Sequence, residues 1–337
     1  MSFKDIYGQD QQTAVLQRTI ARGRIPHAYL FYGIKGIGKK TTAMALAKTL
    51  NCKDGDTDSC DACAACRKID HGNHADLFLI RPEGIFIKIE EIRKLQNQAK
   101  YRPFEGEKRI FIIEDAERMN IPAANALLKT LEEPGPSNVL ILTTSRPYLL
   151  PPTITSRCQK IRFSPLRKDV IVAFIRERFA LDEELSLTLA SSSEGSIGRV
   201  LEMRDESYIA LKRELIEKIT STDIERNPMH LLLLIREMRG DRDAILGRMD
   251  ILKSWYRDVL VFKEMRDRAN LIHPDCADAT KRFSERMEGP NILKSIKTIE
   301  RAYSAIEKNA NKQLTLESMM FKLAEIRRTS VMNELNV

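Results

Sequence analysis

A glycine-rich stretch, GIKGIGKKTT at residues 33–42, constrains the fold of this chain more than any other feature. It follows a short apolar run at residues 29–32 and precedes KKTTAMALAKTL, whose apolar residues recur at helical spacing. Gly33, Gly36 and Gly38 let the backbone approach a phosphate, and a helix N-terminus in this place faces the anion. A glycine loop between a strand and a helix therefore predicts a phosphate-loop domain.

The residues that end this loop depart from the usual pattern. Lys39 occupies the position of the lysine that reaches the β and γ phosphates of a nucleotide. The next position usually carries a Ser or Thr hydroxyl that binds Mg²⁺, but Lys40 stands there and cannot ligate a cation. Thr41 carries its hydroxyl one residue late, so it would serve only if the helix register shifted. Two interpretations stay open: an ATP site, or a structural loop that binds ATP weakly or not at all.

The rest of the chain predicts an α/β fold followed by helices. Four apolar runs and a last short run, all typical of strands, are separated by other stretches, most of them amphipathic, and buried strands separated by helices form a parallel sheet covered on both faces. These runs are HAYLFY (27–32), DLFLI (76–80), RIFIIED (109–115), VLILTT (139–144) and QKIRF (159–163). After residue 166 only helical spacing continues. We therefore expect a phosphate-loop sheet domain at 1–165, a small helical lid domain at 166–205 and an all-helical domain at 206–337.

Four of the six cysteines crowd into CKDGDTDSCDACAAC. Two successive C-x-x-C steps and a fourth cysteine nearby place four thiolates within reach of one tetrahedral metal ion. We expect a structural Zn²⁺ module at residues 52–66, and an iron–sulfur cluster is the chemical alternative. The predicted ligands are Cys52, Cys60, Cys63 and Cys66.

Composition and charge bear on the cellular compartment and the binding partners of the protein. The chain has no run of 18 or more apolar residues, and its polar start lacks an apolar signal core, which favours a cytoplasmic protein without a membrane partner. A net charge of +8 suggests contact with nucleic acid, although 55 basic residues are interspersed with 47 acidic ones. Trp255 and Tyr256 lie in a helical pattern, so we interpret them as core residues and not as a platform for stacking bases.

Two further motifs carry chemistry. The run RIFIIED ends in Glu114 and Asp115, and paired carboxylates after an apolar strand hold the metal's water shell and polarise the attacking water of a nucleotide site. The usual order is Asp then Glu, so the exchange would damage hydrolysis more than binding. The pair could also serve only as a helix cap. Arg157 follows a Pro-rich loop at the end of the sheet, from which an arginine can reach a neighbour's γ-phosphate.

Several stretches together resemble the clamp-loader branch of the AAA+ ATPases. They are IPHAYLFYGIKGIGKKTTA, DAERMNIPAANALLKTLEEPGPSNVLILTTSRPYLLPPTITSRCQKIRF and GSIGRVLEM, with NANKQLTLESMMFKL as a looser match to the C-terminal collar. The resemblance implies a ring of five AAA+ proteins, held by their collars, that uses ATP to open a sliding clamp and close it on primed DNA. It also implies that Arg157 acts in trans, that Thr144 or Ser145 senses the γ-phosphate, and that the zinc module is structural.

The departures from the family pattern favour a subunit without its own catalysis. A motor subunit would have Ser or Thr, Asp then Glu, and an arginine after G-S-x where this chain has Lys40, Glu114 with Asp115, and Gly198. We therefore expect a stator subunit in a hetero-oligomer with motor and clamp-opening subunits, which reaches clamp and DNA through the complex. An active ATPase motor subunit is the first alternative. A free-standing zinc-containing DNA-binding protein is the second.

Overall fold

The structure is a computed structural model that describes residues 1–84, 86–221, 227–266, 271–308 and 310–334. The chain forms two compact units, one of residues 1–190 with 194–199 and the other of residues 191–193 with 200–337. This division into two units does not test the three predicted domains, so their boundaries at residues 165 and 205 stay a prediction.

A five-stranded parallel sheet organises the first unit. Its strands are β1 (Ala28–Tyr32), β2 (Leu77–Ile80), β3 (Arg109–Ile113), β4 (Asn138–Thr144) and β5 (Gln159–Arg162), and their order across the sheet is β2-β3-β4-β1-β5. Each strand coincides with one of the five predicted runs to within a residue at either end, except that β3 ends two residues before the run at 109–115 does. The predicted α/β class with a parallel sheet is therefore confirmed.

Helices connect the five strands and continue after the last of them. In chain order, the first nine are α1 (Asp10–Ala21), α2 (Lys39–Asn51), α3 (Ala64–Asp70), α4 (Ile89–Ala99), α5 (Ile121–Glu132), α6 (Pro152–Thr155), α7 (Lys168–Phe179), α8 (Glu183–Ser192) and α9 (Ile197–Arg204). The next six are α10 (Glu206–Ser221), α11 (Pro228–Glu237), α12 (Arg242–Met265), α13 (Ala277–Arg286), α14 (Gly289–Glu307) and α15 (Lys312–Glu334).

The three central strands, β1, β3 and β4, are buried because both faces of the sheet are covered, whereas β5 at the edge is largely exposed. Along β3, Phe111 and Ile113 belong to one buried cluster, whereas Ile110 and Ile112 belong to another. Alternation of side chains along a strand sends successive residues to opposite faces, so the two clusters are two separate cores. This explains why the runs read as continuously apolar instead of alternating.

The register of the sheet brings three strand ends together at one edge. Tyr32 at the end of β1 pairs with Thr144 at the end of β4, and Ile113 at the end of β3 pairs with Leu142. In open parallel sheets, ligands bind outside the carboxyl ends of the strands. The segments after β1, β3 and β4 therefore converge where a nucleotide site is expected.

In the second unit, the described segments are helical and pack around an aromatic centre. The Trp255 side chain is fully buried, its ring centroid lies 4.7 Å from that of Phe283, and its Nε1 donates to Thr280 Oγ1 at 3.1 Å. Tyr256 is buried beside it. The interpretation of both residues as core is confirmed. Among the described residues, no helix combines the length and the apolar character needed to cross a membrane.

Candidate functional site

The glycine loop joins β1 to α2 at the carboxyl edge of the sheet. The N–H of Gly33 donates to the Thr144 carbonyl at 3.3 Å, which ties the start of the loop to β4. Gly38, with φ of 99°, forms the N-cap of α2, and Lys39 is the first residue of that helix. The predicted arrangement of strand, loop and helix is present, with the helix N-terminus at the end of the loop.

Lys39 binds the loop itself. Its Nζ lies 2.7 Å from the carbonyl oxygens of Gly33 and Ile34 and 3.2 Å from Ser145 Oγ. Burial disfavours the charged form and lowers the pKa of the lysine to about 8, although the carboxylates of Glu117 and Asp115 oppose the shift. The ammonium is therefore satisfied by oxygen atoms of the chain, in the place where a nucleotide phosphate would otherwise supply them.

Lys40 and Glu114, which the sequence presents as two separate departures, form one ion pair. Lys40 Nζ lies 3.0 Å from Glu114 Oε1, and Arg81 Nε approaches the same oxygen at 3.0 Å. The Glu114 side chain is only 17 % exposed, so both cations are held against a largely buried carboxylate. A carboxylate already bound by two side-chain cations is poorly placed to hold the water shell of a Mg²⁺ ion.

The other predicted loop and sensor residues lie nearby with different contacts. Thr41 lies in the first turn of α2, but the threonine that bonds to the loop is Thr42, whose Oγ1 donates to the Gly38 carbonyl at 2.9 Å. The Thr144 hydroxyl accepts the Arg146 N–H at 3.0 Å. Ser145, not Thr144, provides the hydroxyl that reaches Lys39.

Asp115 lies at the start of a short 3₁₀ helix at Ala116–Arg118. Its φ is 49°, a left-handed backbone conformation that is uncommon outside glycine. Its carbonyl accepts the Arg118 N–H at 2.8 Å. Asp115 thus occupies the N-cap position and turns the chain after β3, but its carboxylate makes no capping hydrogen bond to this short helix.

Ser196 and the start of the first turn of α9, residues 196–198, lie directly against the glycine loop. Ser196 Oγ donates to the Lys35 carbonyl, and the Gly198 N–H donates to the Gly36 carbonyl, both at 2.9 Å. A Cβ atom on Gly36 would lie 2.5 Å from Ser196 Oγ and 2.8 Å from Gly198 Cα. Arg199, one residue past the position at which a motor subunit would carry an arginine, pairs with Glu194. The loop is thus held against the start of α9 by one hydroxyl and one backbone hydrogen bond.

Arg157 lies outside this group of residues, between α6 and β5. Its Nη2 donates to Glu132 Oε1 at 2.7 Å and its Nη1 to the Thr153 carbonyl at 3.0 Å. The arginine side chain is 38 % exposed. The guanidinium therefore lies at the surface of the first unit, where a second protein can reach it.

The four clustered cysteines converge on one point. Their Sγ atoms all lie within 4.8 Å of one another, with Cys52 to Cys63 and Cys60 to Cys66 both at 4.0 Å. Zinc–sulfur bonds of about 2.3 Å in a tetrahedron give sulfur separations of about 3.8 Å, so the cluster fits a bound Zn²⁺. Burial disfavours the Cys63 thiolate, but the Cys66 N–H and the neighbouring thiols outweigh it and lower its pKa to about 6.

A buried lysine joins this cysteine module to α2. Lys48 is almost fully buried, and its Nζ pairs with Asp61 and, at 2.6 Å, with Asp70. The only sequence signal for this residue is a lysine inside the apolar run of a helix. The two aspartates that neutralise it follow 13 and 22 residues later, too far for helical pairing to reveal them.

The parallel sheet and the glycine loop between β1 and α2 define a phosphate-loop domain. Residues 8–167 match the family described as DNA polymerase III, delta subunit, and residues 207–325 match DNA polymerase III, delta subunit, C terminal. The chain is 30% identical over 325 residues to DNA polymerase III subunit delta' of Bacillus subtilis (strain 168), covering 94% of this chain and 96% of the relative. It therefore belongs to the delta-prime family of DNA polymerase III subunits.

Two further similarities accompany this match. The chain is 26% identical over 346 residues to DNA polymerase III subunit tau of Bacillus subtilis (strain 168), covering 96% of this chain and 61% of the relative. A crystal structure of a gamma subunit-related protein of DNA polymerase III from Thermotoga maritima has a TM-score of 0.47 at 21% identity, covering 94% of this chain and all of that one.

Proposed function

We propose that this chain is the stator of a clamp loader, a subunit that assembles with motor and clamp-opening subunits but hydrolyses no ATP itself. In the complex it completes a neighbour's ATP site with Arg157, and the complex loads a sliding clamp onto primed DNA. Membership of the delta-prime family supports the assembly, since the relatives are DNA polymerase III subunits delta', tau and gamma. The chain acts in the cytoplasm, where replication takes place.

The observation that carries the lack of hydrolysis is the Lys40–Glu114 ion pair. Phosphoryl transfer requires a metal ion that bridges the phosphates and neutralises the developing charge. Lys40 brings a positive charge to the position of the missing hydroxyl ligand, and it pairs with the carboxylate at the end of β3 at 3.0 Å. Mg²⁺ binding would have to break this pair and tolerate the ammonium nearby.

Two further contacts support a loop with weak or absent ATP binding. Lys39 already has three oxygen partners, so a phosphate would have to replace them. Residues 196–198 are hydrogen-bonded to the Lys35 and Gly36 carbonyls on the loop. Both contacts stabilise the loop without a ligand, and the Lys39 contacts would lower nucleotide affinity by the free energy of those that a phosphate must replace.

Arg157 provides the chemistry that the chain contributes to a neighbour. A planar guanidinium with several fixed N–H donors suits the oxygens of a transferring γ-phosphoryl group, on which charge builds up in the transition state. The exposure of Arg157 and its position just before β5 agree with action in trans. The isolated chain thus needs no catalytic centre of its own.

The remaining modules serve assembly and structure. Zn²⁺ held by Cys52, Cys60, Cys63 and Cys66 would order residues 52–66, and four sulfur ligands leave no open position for catalysis. Residues 166–205 form the lid domain and residues 206–337 the collar through which the subunits associate. Binding to clamp and DNA takes place through the assembled ring.

The test is a clamp loader reconstituted from this chain and the motor and clamp-opening subunits of the same organism. We expect Arg157→Ala to assemble normally, yet to lower the motor's ATPase and clamp loading by roughly 10³-fold, as loss of an arginine finger does. The matched control is Arg167→Ala, which removes an arginine that is 82% exposed. Unchanged loading with Arg157→Ala would refute the trans arginine.

Similarity to the tau subunit favours one competing function, an active motor subunit. An ATPase assay of the isolated chain with ATP and Mg²⁺ distinguishes the stator function from the motor function. A stator gives no turnover above background. Steady turnover that disappears with Lys39→Ala would establish the motor function and overturn the stator proposal.

A further inference from the structure

The Arg157 side chain forms an ion pair with one carboxylate, that of Glu132. Glu132 is the last residue of α5, and its Oε1 accepts Arg157 Nη2 at 2.7 Å. The Thr153 carbonyl accepts the other terminal nitrogen at 3.0 Å. The Arg157 backbone N–H donates to the Ile154 carbonyl at 3.1 Å, so both the backbone and the side chain of the arginine are fixed.

The position of Glu132 is unfavourable for a carboxylate on local grounds. A helix C-terminus carries partial negative charge on its unpaired carbonyls, which disfavours an acidic side chain in the last turn. The side chain of Glu132 is 52 % exposed, so burial does not hold it in place. The described contact that compensates its charge is the Arg157 guanidinium.

We infer that Glu132 is a positioning residue for Arg157: it holds the guanidinium in one orientation until a neighbour's γ-phosphate takes over. This inference rests on the proposed trans role of Arg157. A free arginine side chain samples many rotamers, and fixing one in advance reduces the entropy lost when it meets the phosphate. The pair is exposed, so water and salt screen it.

When the Arg157 guanidinium exchanges Glu132 for a phosphate, only hydrogen bonds and ionic contacts change, so no covalent step is needed. A guanidinium has more N–H donors than the two that Glu132 and Thr153 occupy, so a phosphate can begin to bind before the carboxylate leaves. A polyphosphate carries more negative charge than one carboxylate and therefore replaces it. Glu132 acts through Arg157 and does not touch the nucleotide.

The experiment measures kcat and KM for ATP in the reconstituted clamp loader. We expect Glu132→Ala to lower kcat about two- to tenfold, the factor that corresponds to ordering one long side chain, while KM stays within about twofold. Glu132→Gln keeps an oxygen acceptor in the same place, so we expect it to retain most of the wild-type kcat. Glu133→Ala is the matched control, because Glu133 is the adjacent exposed acid and its side chain has no described partner.

The decisive measurement is the double variant. If Glu132 acts through Arg157, then Glu132→Ala has no further effect on kcat in an Arg157→Ala background. An equal decrease in both backgrounds, or a wild-type kcat for Glu132→Ala alone, overturns the positioning role. If Arg157→Ala itself leaves the motor's ATPase unchanged, the proposed function fails and this inference fails with it. A strong Arg157→Ala effect beside an inert Glu132→Ala refutes the inference alone.

Discussion

Lys40 Nζ and Glu114 Oε1 are 3.0 Å apart, so an ammonium of the chain itself lies against the carboxylate at the end of β3. In a hydrolysing phosphate-loop protein the corresponding carboxylate helps to hold a metal ion through water. The two substitutions are therefore coupled: the lysine brings the charge and the glutamate, longer than an aspartate, reaches it. Reverting Lys40 alone leaves Glu114 paired only with Arg81, and shortening Glu114 alone draws the carboxylate away from Lys40.

The Lys40–Glu114 ion pair should suppress the Mg²⁺-dependent binding of nucleotide. We expect wild-type protein to show no Mg²⁺-dependent gain in affinity for a fluorescent ATP analogue. Lys40→Thr removes a positive charge beside the metal position and restores a hydroxyl, so we expect it to gain at least tenfold in affinity when Mg²⁺ is added, equivalent to about 1.4 kcal/mol. Lys94→Thr is the control, since Lys94 also pairs with a glutamate at 2.7 Å but lies on α4. Equal Mg²⁺ dependence in the three proteins would contradict the prediction.

The close contact between the loop and residues 196–198 predicts a difference between two glycine substitutions. Gly36 and Gly38 both have positive φ, so alanine strains the backbone at either position by about 1–2 kcal/mol. An added Cβ meets no atom within 4 Å at Gly38, but at Gly36 it meets Ser196 Oγ at 2.5 Å. We expect Gly36→Ala to lower the free energy of unfolding by at least about 1 kcal/mol more than Gly38→Ala.

Urea denaturation of the two variants, followed by far-ultraviolet circular dichroism, provides the comparison. Equal losses would mean that residues 196–198 move away from the loop at no cost. In that case these residues would not hold the loop closed.

Removal of one cysteine ligand should release the metal. We expect Cys63→Ser to lose about one Zn²⁺ per chain and to show rapid amide exchange across residues 52–70, because structural zinc supplies the folding free energy of small modules. Metal analysis and hydrogen exchange measure the two effects. Cys276→Ser removes a buried thiol of the second unit and should keep its zinc. Full zinc content in Cys63→Ser would refute the four-thiolate site.

Asp76 predicts a pH dependence of stability. Burial raises the pKa of this carboxyl, but the N–H groups of residues 104–106 and the Arg109 guanidinium outweigh that effect, so the pKa is lowered. A depressed carboxyl pKa stabilises the fold above the unfolded-chain value of 3.8. The stabilisation is lost as the pH falls from there through the lower folded-state pKa.

Asp76→Asn should therefore cost about 3 kcal/mol at pH 7, since it leaves Arg109 buried without its partner. The difference from wild type should shrink as the pH falls below 3.8. Urea denaturation at pH 7 and pH 3 tests both statements. Asp10→Asn, at an exposed position in the first turn of α1, should change stability by less than about 1 kcal/mol. A constant difference across this range would show that the Asp76 charge is not involved.

The sequence predicts local structure in this protein better than it predicts contacts. The central strands are predictable because buried parallel strands leave continuous apolar runs, and the glycine loop predicts the start of α2 at Lys39. The cysteine spacing likewise predicts the convergence of four thiols. In each case the signal lies within a few residues of the feature that it predicts.

The features that sequence reasoning misses are contacts between distant segments. The pairing of Lys40 with Glu114 spans 74 residues and that of Gly36 with Gly198 spans 162, as their numbers show. Neither strand propensity nor turn chemistry carries information on such pairs, which depend on strand order and on the path of the chain after β5. The carboxyl–arginine pair of Glu132 and Arg157 escapes prediction for the same reason.

The contacts of Lys39 affect how phosphate-loop motifs are used to identify the ATPase subunits of a protein complex. Three oxygen atoms of the chain bind its ammonium, so the loop depends on this lysine for its own order. The glycines and the lysine thus have a structural role that does not require nucleotide turnover. In genome surveys, a lysine at this position identifies a fold, and the residue that follows it is the better indicator of an ATPase.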